Sequence, residues 1–231
     1  MSLQNPRRLG RAGCIVLLSL PLAACFDLSQ KLTLDRSGAG RYEIAITAQG
    51  LLGEAIRDKH GALADLRHNN VVTRTVEKNG SVTQLATMNF RSLSDLKLSD
   101  EAVSLTNHGA SWFGLGPSHV SFRRTLLVDR ARRENAPRSG AGDERFGTEL
   151  AQTMFGDHTY VFSVTLPGSV DRALPLHIGR TTVTPEVAGN YWGHTVTWRM
   201  PLYTMLQAKL LRFEVDFSAY GSFPDAQSLP E

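Results

Sequence analysis

The group best placed by its surroundings to do chemistry is the thiol of Cys25. It follows Leu22-Ala23-Ala24, which closes an apolar run that starts at about Ala12 and stands behind Arg7, Arg8 and Arg11. A basic start, an apolar stretch and small residues before a cut site make a secretory signal peptide. A cysteine directly after the small residues adds a nucleophile at the cleavage point. Its thiol can take a diacylglyceryl group as a thioether before the preceding peptide bond is cut, which leaves Cys25 as an acylated first residue. The apolar run is about ten or eleven residues long and contains Pro21, short of the roughly 20 needed to span a bilayer.

That arrangement resembles the lipobox of bacterial lipoproteins. It divides the chain into a signal peptide, residues 1–24, and a mature protein held by acyl chains such as palmitate on Cys25. Acyl chains contribute about 0.8 kcal/mol per buried CH₂, so two or three of them give stable attachment. The expected location is the extracytoplasmic side of a bacterial envelope membrane. Phe26, rather than Asp, at the second mature position suits the outer membrane if the source has one.

Other reactive constellations are weak. The seven histidines, at 60, 68, 108, 119, 158, 177 and 194, include no pair four residues apart and no neighbouring cysteine, so no metal site is expected. Ser118-His119 is adjacent only in sequence, and no Gly-x-Ser-x-Gly elbow exists. Asp157-His158 reads as a turn with a surface histidine. Gly38-Ala39-Gly40 precedes a strand, not the helix a phosphate cradle needs. No catalytic residue and no cofactor is expected; an envelope hydrolase is a distant third reading.

Two segments carry binding chemistry. Ala110–Pro117 places Trp112, Phe113 and Leu115 in a glycine-rich connection, where they close an apolar cavity, dip into a membrane or simply cap the end of a sheet. Arg130, Arg132 and Arg133, with Arg123, Arg124, Arg138 and Arg145, can fork onto the phosphates of anionic lipids. Asp129, Glu134, Asp143 and Glu144 dilute that charge and make a solvated loop the competing reading.

Charge removes another class of partner. Of 25 basic and 22 acidic residues, three arginines and no acid lie in residues 1–24, so the mature chain is neutral and nucleic acid is not expected. Cys14 leaves with the signal and Cys25 carries lipid, so no disulfide is available. The fold must rest on its core.

The elements that position these groups read mainly as strands. Lys31–Leu34 and Tyr42–Thr47 form a hairpin across Asp35–Gly40, and Asn70–Glu77 with Ser81–Phe90 forms another across Asn79-Gly80, the type I′ turn pair. Leu51, Leu52, Ala55, Ile56, Ala62, Leu63 and Leu66 recur at helical spacing over residues 50–67. Arg91–Leu96 suits a helical turn, and Phe146–Phe155 a short helix. Ala102–Thr106, Val120–Val128, Tyr160–Leu166, Thr195–Met200 and Leu210–Ser218 suit strands. Residues 129–145 read as a mobile loop. The expected fold is α+β, one continuous, curved antiparallel sheet with a few helices packed on one face.

Strand-and-turn motifs also carry a family resemblance. Leu32-Thr33-Leu34-Asp35 with Gly38-Ala39-Gly40, then Phe90-Arg91-Ser92-Leu93-Ser94-Asp95-Leu96, Val164-Thr165-Leu166-Pro167-Gly168-Ser169-Val170 and Thr195-Val196-Thr197-Trp198 are similar to the LppM-domain lipoproteins of bacteria. The resemblance implies an extracytoplasmic α+β domain over residues 29–220, with lipid or glycolipid binding. Residues 25–28 would be the lipidated tether and residues 221–231 a polar tail, where relatives end in a membrane helix. The reading is a non-enzymatic envelope lipoprotein that binds a lipid or other apolar ligand at the membrane surface. The alternative is a structural or assembly lipoprotein that recruits an envelope protein.

Overall fold

A computed structural model describes residues 26–57, 71–96, 98, 101–111, 115–128, 157–190, 193–221 and 223–228. Cys25, Trp112, Phe113 and Arg130, Arg132 and Arg133 lie outside the described residues, as do the expected helix 146–155 and the second half of the helix at 50–67.

The fold is two sheets packed face to face, which corrects the α+β expectation of one antiparallel sheet under helices. A seven-stranded sheet is built from β1 (Phe26–Leu34), β2 (Gly40–Gln49), β3 (Val71–Lys78), β4 (Ser81–Phe90), β7 (Thr159–Leu166), β11 (Glu186–Asn190) and β12 (Gly193–Pro201). Its order is β11-β12-β7-β1-β2-β4-β3, and β1 and β7 run parallel while every other neighbouring pair is antiparallel. A five-stranded sheet takes β5 (Glu101–Ala110), β6 (Ser118–Leu127), β8 (Ser169–Ala173), β13 (Leu210–Ala219) and β14 (Ala226–Gln227) in the order β14-β5-β6-β13-β8. β9 (Leu176–Ile178) and β10 (Thr181–Val183) form a separate ribbon.

The reason lies in the apolar rows. Val120, Phe122 and Leu126 of β6 and Leu211, Phe213, Val215 and Phe217 of β13 bury one face of the second sheet. Tyr160, Phe162, Val164 and Leu166 of β7 and Val196, Trp198 and Met200 of β12 bury one face of the first. Each sheet therefore supplies the cover the other needs, and side chains of the two inner faces interdigitate. Phe162 and Phe213 meet across the interface with ring centroids 4.6 Å apart. The described helices are short: α1 (Gly50–Arg57) and α2 (Leu202–Gln207). Ile56 of α1 packs with Ile46, Ala48, Val82 and Ala86 in a small second core.

Both hairpins form as expected. Asn79 at φ 52° and Gly80 at φ 73° make the turn of the second, a left-handed pair that Asn-Gly tolerates. The helical turn at 91–96 is a 3-10 turn, Leu93–Asp95, held by a capping box between Ser92 and Asp95. Near the C-terminus, Ser228 brackets Val103: its N–H donates to the Val103 carbonyl and its hydroxyl accepts from the Val103 N–H, both at 2.7 Å.

Candidate functional site

β1 starts at Phe26, so the residue after Cys25 is already in the sheet. The Phe26 N–H donates to His158 Nδ1 at 2.8 Å, and the Thr159 N–H donates to Asp27 Oδ1 at 2.9 Å. His158 is buried and holds the first strand, not the exposed turn residue its sequence suggests. Its carbonyl accepts from the Leu202 N–H at 2.7 Å at the start of α2, and after α2 the Lys209 carbonyl accepts from the Val128 N–H at 3.1 Å. Phe26, the start of β7, α2, Leu210 and Leu127 therefore share one end of the sandwich.

The opposite end holds the Asp35–Gly40 turn. Arg36 lies beside Gly221 there, and the Ser118 hydroxyl donates to the Gly221 carbonyl at 3.3 Å. The Ser111–Pro117 connection, which frames Trp112 and Phe113, is closed at this far end by the Gly116 N–H donating to the Ser111 carbonyl at 2.9 Å. Leu115, 87% exposed, projects from it. By contrast, Val128 and Asp157, the described residues nearest in sequence to Arg130, Arg132 and Arg133, both stand at the Phe26 end.

The largest departure from expectation is Arg124. It is grouped by sequence with the phosphate-binding arginines, yet it is 0% exposed in the centre of the sandwich. β6 alternates, so Arg124 shares the inward face with Val120, Phe122 and Leu126. Its Nε donates to Glu101 Oε2 at 3.1 Å, its Nη1 to the Tyr160 hydroxyl at 3.2 Å, and its Nη2 to Gln30 Oε1. The Tyr160 hydroxyl donates to Gln30 Oε1 at 2.7 Å and the Tyr42 hydroxyl to Glu101 Oε2 at 3.3 Å. The guanidinium also lies 4.1 Å from the Phe162 ring centroid, a cation–π contact. Among the described residues, no buried side-chain polar atom lacks a partner. The cluster ties five strands, β1, β2, β5, β6 and β7, and both sheets together, and its polar groups are spent on one another.

Burial pushes the Tyr160 phenol up to about 12, opposed by the charge of Arg124, and Tyr42 is raised well above its ordinary value, also by burial first. Burial works against the charge of Arg124, but the Glu101 carboxylate and the Tyr160 and Tyr42 phenols together outweigh it and the net shift is upward. An unfolded tyrosine releases its proton near pH 10, so above that pH the folded state holds a proton that the unfolded state has lost. Stability is thus expected to fall by about 2–3 kcal/mol between about pH 10 and pH 12 through Tyr160 alone. Urea unfolding across that window checks it. Stability that stays level in the parent, or falls just as steeply in Tyr160→Phe, contradicts the assignment.

A serine, a histidine and an aspartate do converge, on the outer face of the five-stranded sheet. The Ser218 hydroxyl donates to Asp171 Oδ2 and lies 2.9 Å from His119 Nδ1, which is 3.6 Å from the same carboxylate. The carboxylate is acceptor-only, so the single hydroxyl proton points to it and the imidazole donates to the serine. A catalytic relay needs the imidazole between serine and carboxylate, taking the serine proton. Here the serine is in the middle. His108, Ser121 and Asp216 repeat the order, at 2.8 and 2.7 Å, so these are cross-strand polar rows. Among the described residues no group of three His, Cys, Asp or Glu side chains can hold a metal ion.

One depression opens on the outer face of β2, β4 and β3. Arg41, Val72, Arg74, Leu85, Thr87 and Asn89 line a volume of about 310 Å³. Arg41 pairs with Glu43 at 2.8 Å.

No family model matches the chain, and no curated protein matches it. The folded domain of the LppM protein of Mycobacterium tuberculosis, solved by NMR, is similar at 10% identity over 85% of this chain and 92% of that chain, with a TM-score of 0.42. The resemblance read from the sequence is met to that extent: a distant likeness that speaks for no single residue.

Proposed function

We propose that the chain is a non-enzymatic lipoprotein of the bacterial envelope, fixed through acylated Cys25, whose domain stands on the bilayer and presents its outer surfaces to an envelope partner. The observation that carries the reading is the direct passage from Cys25 into β1. One peptide bond, with its following N–H held by His158, joins the lipid anchor to the central strand. One residue reaches at most about 3.6 Å, so the Phe26 end rests at the headgroups. The inner faces are filled by aromatic and aliphatic side chains, which favours work at the surface over carriage of a lipid between the sheets.

Cys25→Ser is expected to abolish incorporation of a labelled fatty acid and to leave the signal uncut by the lipoprotein route. Label that persists on the serine variant sinks the reading. A second reading, capture of an anionic amphiphile, has one observation in its favour. In the 310 Å³ depression Arg41 and Arg74 face a headgroup while Val72 and Leu85 offer an apolar floor.

A further inference from the structure

A single lipid anchor leaves a domain free to swing about its attachment, and the Phe26 end carries a second feature that would stop this. Leu127 and Leu210 are cross-strand partners at the last rung of β6 and β13. They are 44% and 42% exposed although they are large and apolar, and they point to the outer face, away from the inward row of Leu126 and Leu211. Cross-strand neighbours in an antiparallel pair lie about 5 Å apart, so the two form one continuous patch. Lys209 is exposed beside it. Arg212, two residues along the same face of β13, and Arg123 stand about 7 Å or more further up, sharing Glu214 at 3.7 and 3.1 Å. An apolar tip with cations set behind it is the order a bilayer presents from the inside outward, acyl chains and then phosphates.

The position of the patch names its occupant. β1, which follows the anchor, belongs to the seven-stranded sheet, whereas Leu127 and Leu210 belong to the five-stranded sheet, and both stand at the same end of the sandwich. Packed sheets lie about 10 Å apart. We propose that Leu127 and Leu210 insert at the bilayer surface, with Lys209 and Arg212 at the lipid phosphates, as a second footing that holds the domain upright on its anchor. The inference rests on acylation of Cys25. With both sheets footed, the Asp35–Gly40 turn and Leu115 face away from the membrane.

The acylated protein provides its own test, because Cys25 is blocked by lipid and a single introduced cysteine takes a nitroxide label alone. The full chain carrying Leu210→Cys is reconstituted in phosphatidylethanolamine–phosphatidylglycerol vesicles, with Ser37→Cys as the far-end reference. Collisions with oxygen, which concentrates in lipid, are compared with those of a water-soluble nickel chelate. The expected result is an oxygen-to-nickel ratio several-fold higher at position 210 than at position 37, and a fall toward the reference value when Leu127→Glu is added. An acylated protein whose two positions give equal ratios overturns the second footing alone. Low collision with both reagents at position 210 shows a protein partner there and also overturns it. A chain that takes up no fatty acid and washes off the vesicles overturns the anchor reading, and the footing with it. Thermal melts of the variants check that the fold is kept.

Discussion

Arg124→Met is expected to destabilise the domain by about 3–5 kcal/mol, because it leaves the buried carboxylate of Glu101 without its cation. Glu101 accepts from Arg124 and Tyr42, and Gln30 Oε1 accepts from Arg124 and Tyr160, so one substitution strips both acceptors of a charged donor. The double variant Arg124→Met/Glu101→Leu is expected to recover much of that loss, since it removes the pair together and leaves apolar groups among Phe122, Phe162 and Phe213. Urea unfolding of the parent, both single variants and the double variant gives the coupling directly. A single-variant loss under about 1 kcal/mol, the scale of an exposed pair, shows that Arg124 is solvated and rejects the buried cluster.

Trp198→Ala is expected to lower stability by about 3–5 kcal/mol, the usual range for truncating a buried large aromatic. Trp198 stacks on Phe162 with centroids 5.8 Å apart and meets Phe213 edge-on at 5.2 Å. Its Nε1–H donates to the Leu174 carbonyl at 3.0 Å, so the substitution also orphans an acceptor beside the core. Leu115→Ala is the contrast, expected within about 0.5 kcal/mol of the parent because that side chain touches little. Thermal and urea unfolding of the two variants check both. Equal, small losses would mean that the two sheets do not pack through Trp198.

Why the sequence revealed the strands but not their assembly follows from particular residues. Leu211, Phe213, Val215 and Phe217 alternate with polar residues, and Asn79-Gly80 marks its own turn, so a period of two and a turn type are local and readable. The partner of each buried face is not local. β1 pairs with β7 some 130 residues later, and nothing between Leu34 and Thr159 announces that parallel contact. The short strands Ser169–Ala173, Leu176–Ile178 and Thr181–Val183 hold too few residues for a pattern, and α2 is six residues long.

Arg124 is the instructive miss at the level of the site. Its parity in Val120, Phe122, Arg124 and Leu126 places it inward, as the parity of Glu101, Val103 and Leu105 does for Glu101. Charge type drew Arg124 toward the arginines of residues 129–145, and strand register outweighs charge type when a buried counter-charge stands opposite. The proposed anchor rests on a contiguous motif, which a sequence displays whole. The hydrogen bond from the Phe26 N–H to His158 was not legible, since it spans 132 residues.

The entry of the chain into β1 also decides how the domain bears a load. With Cys25 acylated as proposed, a pull on the anchor would run along the axis of β1, which is paired over nine residue pairs with β2 on one side and six with β7 on the other. Force along a strand flanked on both sides loads those hydrogen bonds together, in shear, where an edge strand would unzip one bond at a time. A domain anchored as proposed would carry tension on Cys25 along a central strand and not by the peeling of an edge.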